Sequence, residues 1–230
     1  MDSVDSVFLL VANGPAETHQ GLVALSLILD AAIDRIVYLS SDLALRAPLV
    51  PHAGSKLGIE AALRASGAAY TILRPTYFAQ NDLIARDALE AGVYPFPTGS
   101  LPLARVDTRD VATAAARALL DGKGRRKTVL LSGPDKPNGE ETAALWSAAL
   151  GRTVTYREQT PEDWAASVAG LLPPWLIFDL TVMYRHLQDA GHPIDGPVLA
   201  DQRELLPQGP RGYRDFLAET AKAWSANVRR

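Results

Sequence analysis

Arg35-Ile-Val-Tyr-Leu-Ser-Ser41, followed further on by Ala68-Ala-Tyr-Thr-Ile-Leu-Arg-Pro75, is the stretch whose reading decides the fold. Ile36 to Leu39 is a continuous apolar run between polar residues, the pattern of a parallel strand buried on both faces. Tyr70 to Leu73 is a second run of aromatic and branched residues, ended by Pro75, which cannot donate to a ladder. Between them Leu57 to Ala65 carries helical spacing, so the unit reads strand, loop, helix, strand. His52 and Lys56 stand four residues apart and share one helix face if the helix begins early enough. Ser40 and Ser41 lie just beyond the carboxyl end of the first strand, where ligands bind in open α/β sheets.

Working outward, Val7 to Ala12 reads as a strand, Asn13-Gly14-Pro15 breaks it, and Glu17 to Ala32 reads as a helix. Downstream, Asp42 to Pro51 is a loop, and Phe78 to Ala91 is a helix stopped by Gly92. Leu103 to Val106 is a short strand, Thr108 caps a helix over 109–120, and Lys127 to Leu131 is a further strand. Gly139 to Leu150 is helical, Val154 to Arg157 alternates like an edge strand, and Pro161 to Leu171, Pro174 to Asp189 and Tyr213 to Ala226 are helices. Strands alternating with helices predict an α/β fold with a mostly parallel sheet flanked by helices. The change to helices with one weak strand divides residues 1–138 from a mainly helical cap at 139–230, the two packed as one unit.

The formal charge of -3 over 230 residues gives no reason to expect nucleic acid or an anionic membrane as partner. Cysteine is absent, which excludes disulfides and thiolate metal sites and fits a reducing cytoplasm. Leu22 to Ile33 is too short to span a bilayer, and the acidic first residues are unlike a secretory signal. His186 and His192 lack the spacing that would aim both at one metal, so no metal is expected.

Several stretches together resemble one family. They are Arg35 to Ser41, His52-x-x-x-Lys56, and Ser66-Gly-Ala-Ala-Tyr-Thr-Ile-Leu-Arg-Pro-Thr-Tyr-Phe-Ala-Gln-Asn81. Val106-Asp-Thr-Arg-Asp-Val-Ala112, Leu131-Ser-Gly-Pro134 and Ala148-Ala-Leu-Gly-Arg-Thr-Val154 continue the pattern. The chain is similar to the NmrA-like group, atypical members of the short-chain dehydrogenase/reductase superfamily, over nearly its whole length. The resemblance implies a Rossmann-like fold. It spans NAD(P)H-dependent quinone and dye reductases, redox-sensing regulators and pathway enzymes. Members of the group begin with a strand, a glycine-rich turn and a helix that approach the cofactor pyrophosphate. No such glycine motif follows any strand here, and Val7 to Ala12 resembles the family's fourth strand. The implied shortfall is on the order of 60 to 70 residues. It predicts a truncated Rossmann-like domain whose Val7–Ala12 edge is covered, most simply by a second copy in a homodimer.

In the superfamily a serine, a tyrosine and a lysine act together, the last two spaced Tyr-x-x-x-Lys; here His52 takes the tyrosine's place. His52, Lys56 and Ser41 are therefore the candidate catalytic residues, with imidazole or ammonium as proton donor or charge clamp. The competing reading has His52 capping a helix and Lys56 solvated. Ser40, Tyr77, Phe78 and Asn81 are candidate small-molecule contacts, as are Trp164 and Trp175, which helix-core spacing explains equally well. Ala12, Ser40, Lys56 and Thr76 form the residual wall of a nicotinamide site. Arg74 reads as a structural cation beside a buried carboxylate. The missing glycine motif predicts a cofactor-independent enzyme of isomerase, cyclase or dehydratase type acting on an aromatic or lipophilic compound. The alternatives are an NAD(P)H-dependent quinone or carbonyl reductase using NADPH or NADH, and a non-catalytic ligand or redox sensor.

Overall fold

The computed structural model describes residues 4–33, 35–121, 126–194 and 200–227. Along the chain run β1 (Val7–Leu9), α1 (Glu17–Asp30), β2 (Arg35–Leu39), α2 (Leu43–Arg46), α3 (Pro51–Ala65) and β3 (Ala69–Pro75). Next come β4 (Tyr77–Phe78), a 3-10 segment (Ala79–Ala85), α4 (Arg86–Glu90), β5 (Val93–Tyr94), β6 (Arg105–Val106), α5 (Thr108–Leu120) and β7 (Arg126–Leu131). The remainder is α6 (Gly139–Leu150), β8 (Thr155–Tyr156), α7 (Pro161–Ser167), α8 (Pro174–Ala190), α9 (Gln202–Leu205) and α10 (Tyr213–Asn227).

Two compact units divide these elements, and neither is continuous in sequence. The first takes the chain up to Thr76, Arg109–Leu131, and the segment ending at Gly209; the second takes Tyr77–Thr108, Ser132–Ile194 and the chain from Pro210. The division expected at 138/139 thus falls inside the second unit.

In the first unit four parallel strands pair in the order β1-β2-β3-β7, the α/β Rossmann-like arrangement that the alternating pattern predicts. Ile36, Val37 and Tyr38 are fully buried because β2 has a strand on each side. Leu25, Ile59, Leu63 and Ile72 close over that strand, each contributing roughly 1.5–3 kcal/mol by leaving water. α3 starts with Pro51 in its first turn, where a missing N–H costs nothing. β1 is shorter than the expected Val7–Ala12. Only its Leu9 is buried, while Phe8 and Leu10 are exposed, because β1 pairs on one side and the chain turns off at Asn13.

In the second unit Trp146 and Trp224 stack at 5.3 Å within a core that includes Leu89, Tyr94, Phe216 and Leu217. α6 is bounded as its sequence dictates, by an Asn138/Glu141 capping box and by Gly151 in the left-handed region at φ 66. The helix expected over Phe78–Ala91 is a correction. Tyr77 and Phe78 pair in parallel with Arg105 and Val106, which holds Phe78 extended and leaves only a 3-10 segment and the short α4. No helix among the described residues is long and apolar enough to cross a membrane.

Candidate functional site

In the first unit the residues of interest gather where α1 packs against α3. Gly21 and Gly58 allow that approach: a Cβ on Gly21 would stand 2.2 Å from Ile59 Cδ1, and one on Gly58 3.0 Å from Thr18 Cγ2. Lys56, on α3, is 7% exposed, so it is not a solvated helix residue. Its ammonium donates to Glu17 Oε1 in the first turn of α1 and lies 3.4 Å from Asn13 Oδ1. Ser55 Oγ donates to Glu17 Oε2 at 2.9 Å and lies 3.0 Å from the His52 carbonyl oxygen. His52 lies one turn before Lys56 and is half-buried.

A second polar group lies beside the carboxyl ends of β2 and β3. Ser40 Oγ donates to Glu60 Oε1 at 2.6 Å, and Glu60 also accepts from Arg74 and Arg64. Burial pushes the Glu60 carboxyl up, but the hydrogen bonds from Arg74 and Ser40 and the two guanidinium charges outweigh it and hold it below its ordinary value. Tyr38 is pushed the other way, by burial and then by the charges of Glu17 and Glu60, so its hydroxyl stays protonated. Thr76 Oγ1 and Tyr38 Oη are buried with no hydrogen-bond partner among the described residues. Ser41 is half-buried just after Ser40, and Ala12 is exposed beyond β1.

The second unit holds the other expected contacts. Tyr77 is buried, its hydroxyl hydrogen-bonded with Tyr184 and Asn81, and burial together with the Asp82 charge pushes it up to about 12. Arg105 stacks over Tyr77 at 5.3 Å and over Tyr213 at 4.7 Å, and its guanidinium reaches Asp82 Oδ1 at 3.3 Å. Phe78 is half-buried in β4. Trp164 packs edge-on against Tyr184 at 4.9 Å as helix core, whereas Trp175 and Phe178 are exposed one turn apart on α8. Within the first unit the structure thus connects Lys56 to Asn13 and Glu17, and within the second Tyr77 to Asn81. Glu17, Glu60 and Asp82 escape the sequence reading; the acid-to-base spacing that could have revealed Glu60, i to i+4 with Arg64, is also the commonest surface pattern.

Comparison with known families settles the lineage: the model described as "NmrA-like family" matches residues 1–217. The chain belongs to the NmrA-like family. A relative in Streptomyces griseus, named (4-alkanoyl-5-oxo-2,5-dihydrofuran-3-yl)methyl phosphate reductase, is 31% identical over 96% of this chain and 78% of its own length. An NAD(P)H azoreductase of Xenophilus azovorans is 34% identical, over 50% of this chain and 40% of that protein. Among solved structures, the NADPH-dependent quinone oxidoreductase of Escherichia coli in complex with NADPH superposes with a TM-score of 0.82 at 25% identity. That match covers 96% of this NmrA-like chain and 76% of the other. These names favour the reductase alternative over a cofactor-independent isomerase, cyclase or dehydratase.

By their chemistry two groups of the first unit suit the nicotinamide end of a nucleotide, a hydroxyl and an ammonium. Thr76 Oγ1 offers a buried, unpartnered hydroxyl beyond β3, and the Lys56 ammonium stands in the same unit. At the turn into α1, by contrast, the Glu17 amide is already donated to the Gly14 carbonyl at 3.0 Å. Among the described residues no G-x-G-x-x-G or G-x-x-G-x-x-G turn follows a strand to cradle the diphosphate.

Proposed function

We propose that this protein is an NAD(P)H-dependent reductase of small conjugated acceptors, such as a quinone, an azo compound or an unsaturated carbonyl. Lys56 is its catalytic cation. The observation that carries the reading is a buried, carboxylate-compensated lysine on α3, in a chain whose relatives are named as reductases. The nucleotide, when bound, supplies a hydride. The chain's own part is electrostatic. As an acceptor is reduced, negative charge collects on its oxygen or nitrogen, and an ammonium in a site of low dielectric stabilises it. A proton then passes from Lys56 Nζ to that atom, and water returns it to the amine. Thr76 and Ser41 are the hydroxyl contacts on the same unit.

Calorimetric titration with NADPH and NADH, followed by oxidation of the reduced nucleotide with menadione and with an azo dye, tests this. Heat on titration with the reduced nucleotide and turnover lost by about 100-fold in Lys56→Met are expected. No heat at millimolar nucleotide and no acceptor reduced would overturn the reductase reading and return the cofactor-independent one.

A further inference from the structure

We propose that Glu17 is the positioning residue for Lys56, the group that sets where its ammonium stands and which N–H remains for the acceptor. The proposal rests on the reductase reading, in which Lys56 is catalytic. Glu17 is 1% exposed at the start of α1, an unfavourable place for a carboxylate unless it is paired and hydrogen-bonded. Both of its oxygens are used, Oε1 by Lys56 Nζ and Oε2 by Ser55 Oγ. Ser55 is itself fixed from the α1 side, since Thr18 Oγ1 donates to its carbonyl oxygen at 2.7 Å. The carboxylate is therefore braced by groups other than the lysine, so it locates the lysine rather than following it.

A buried ion pair is a poor way to gain stability, because apolar residues of similar volume do as well or better. It is a good way to fix a long side chain that otherwise carries about 2 kcal/mol of rotamer entropy. An ammonium has three N–H donors. Glu17 takes one, Asn13 Oδ1 is in reach of a second, and among the described residues nothing takes the third. Gly21 and Gly58 keep the facing side chains of α1 and α3 close, since a Cβ on Gly21 would meet the Ile59 side chain and one on Gly58 would press on Thr18 Cγ2. Glu17 lies 39 residues from Lys56 in sequence, so no local pattern links them.

The test compares the full-length Glu17→Gln, Lys56→Met and doubly substituted proteins in NADPH-dependent menadione reduction. Glu17→Gln should lower kcat by about tenfold with the KM for NADPH within about twofold of the parent, since the interaction lost is made in the transition state. The double variant should be no slower than Lys56→Met alone, because a residue that acts only through Lys56 has nothing left to position. If Glu17→Gln folds poorly, Glu17→Asp, which keeps the charge and retracts it, should show an intermediate kcat. Parental kcat in Glu17→Gln, or a double variant slowed by the full additional factor, overturns the proposal while leaving Lys56 catalytic. Parental kcat in Lys56→Met overturns the catalytic assignment, and the positioning role with it.

Discussion

Asp82 collects four donors, Tyr94 and Arg105 on one oxygen and Trp146 and Tyr213 on the other, with no exposure to water. Arg105 is as deeply buried and also donates to Tyr94 and Thr142. Removing one member of such a pair strands the other charge, so Asp82→Ala should destabilise the protein by about 3–5 kcal/mol, read from urea unfolding. A loss under about 1 kcal/mol would mean that water relieves Arg105. Glu60 makes a different forecast. Its carboxyl titrates lower in the folded than in the unfolded chain, where the ordinary value is 4.5. The stability it contributes is therefore complete above that value and disappears as pH falls through the depressed folded value. Arg74→Met should flatten this acid limb, measured as Tm against pH from neutral downward. From the sequence, Arg74 is legible as a structural cation. Its partner is not, because a helical glutamate reads alike whether it faces water or a buried guanidinium.

At the scale of elements, the parts with strong local signals read correctly: β2 and β3 from their apolar runs, and α6 up to its glycine stop at Gly151. The elements read wrongly are those that tertiary pairing decides, β4 taking Phe78 out of a helix and β1 ending early at an unpaired edge. The candidate site follows the same rule. His52 and Lys56 are legible as a pair from their spacing, but Glu17 enters only when α1 meets α3. The first turn of α3 gives a test. A Cβ on Gly54 would lie 2.2 Å from the backbone carbonyl oxygen of Pro48, which has no flexible end to move aside. Gly54→Ala should cost about 1–3 kcal/mol by overpacking, and should lower kcat by tilting the turn between His52 and Lys56. Thermal melting and nucleotide oxidation on the same samples check both; an unchanged Tm would show that the Pro48 segment yields freely.

For the whole molecule, the decisive fact is that the second unit draws chain from three separate places. A sequence divided at 138/139 leaves Asp82, Tyr94 and Arg105 on one piece, and Thr142, Trp146 and Tyr213 on the other. Each hydrogen bond lost from a buried charge costs about 1.5–3 kcal/mol, and Asp82 would lose two. A natural domain has only about 5–15 kcal/mol in total, and the Trp146–Trp224 stack would also be missing. The fragment 1–138 should therefore leave Tyr77–Thr108 without a cooperative fold, although its four sheet strands are all present. Limited proteolysis should cut between Tyr77 and Thr108 before it cuts between β2 and β3, and near-ultraviolet dichroism should lack a sharp thermal transition. A fragment that resists cleavage across 77–108 would show that the Asp82 cluster closes locally, and that the chain does divide where its composition changes.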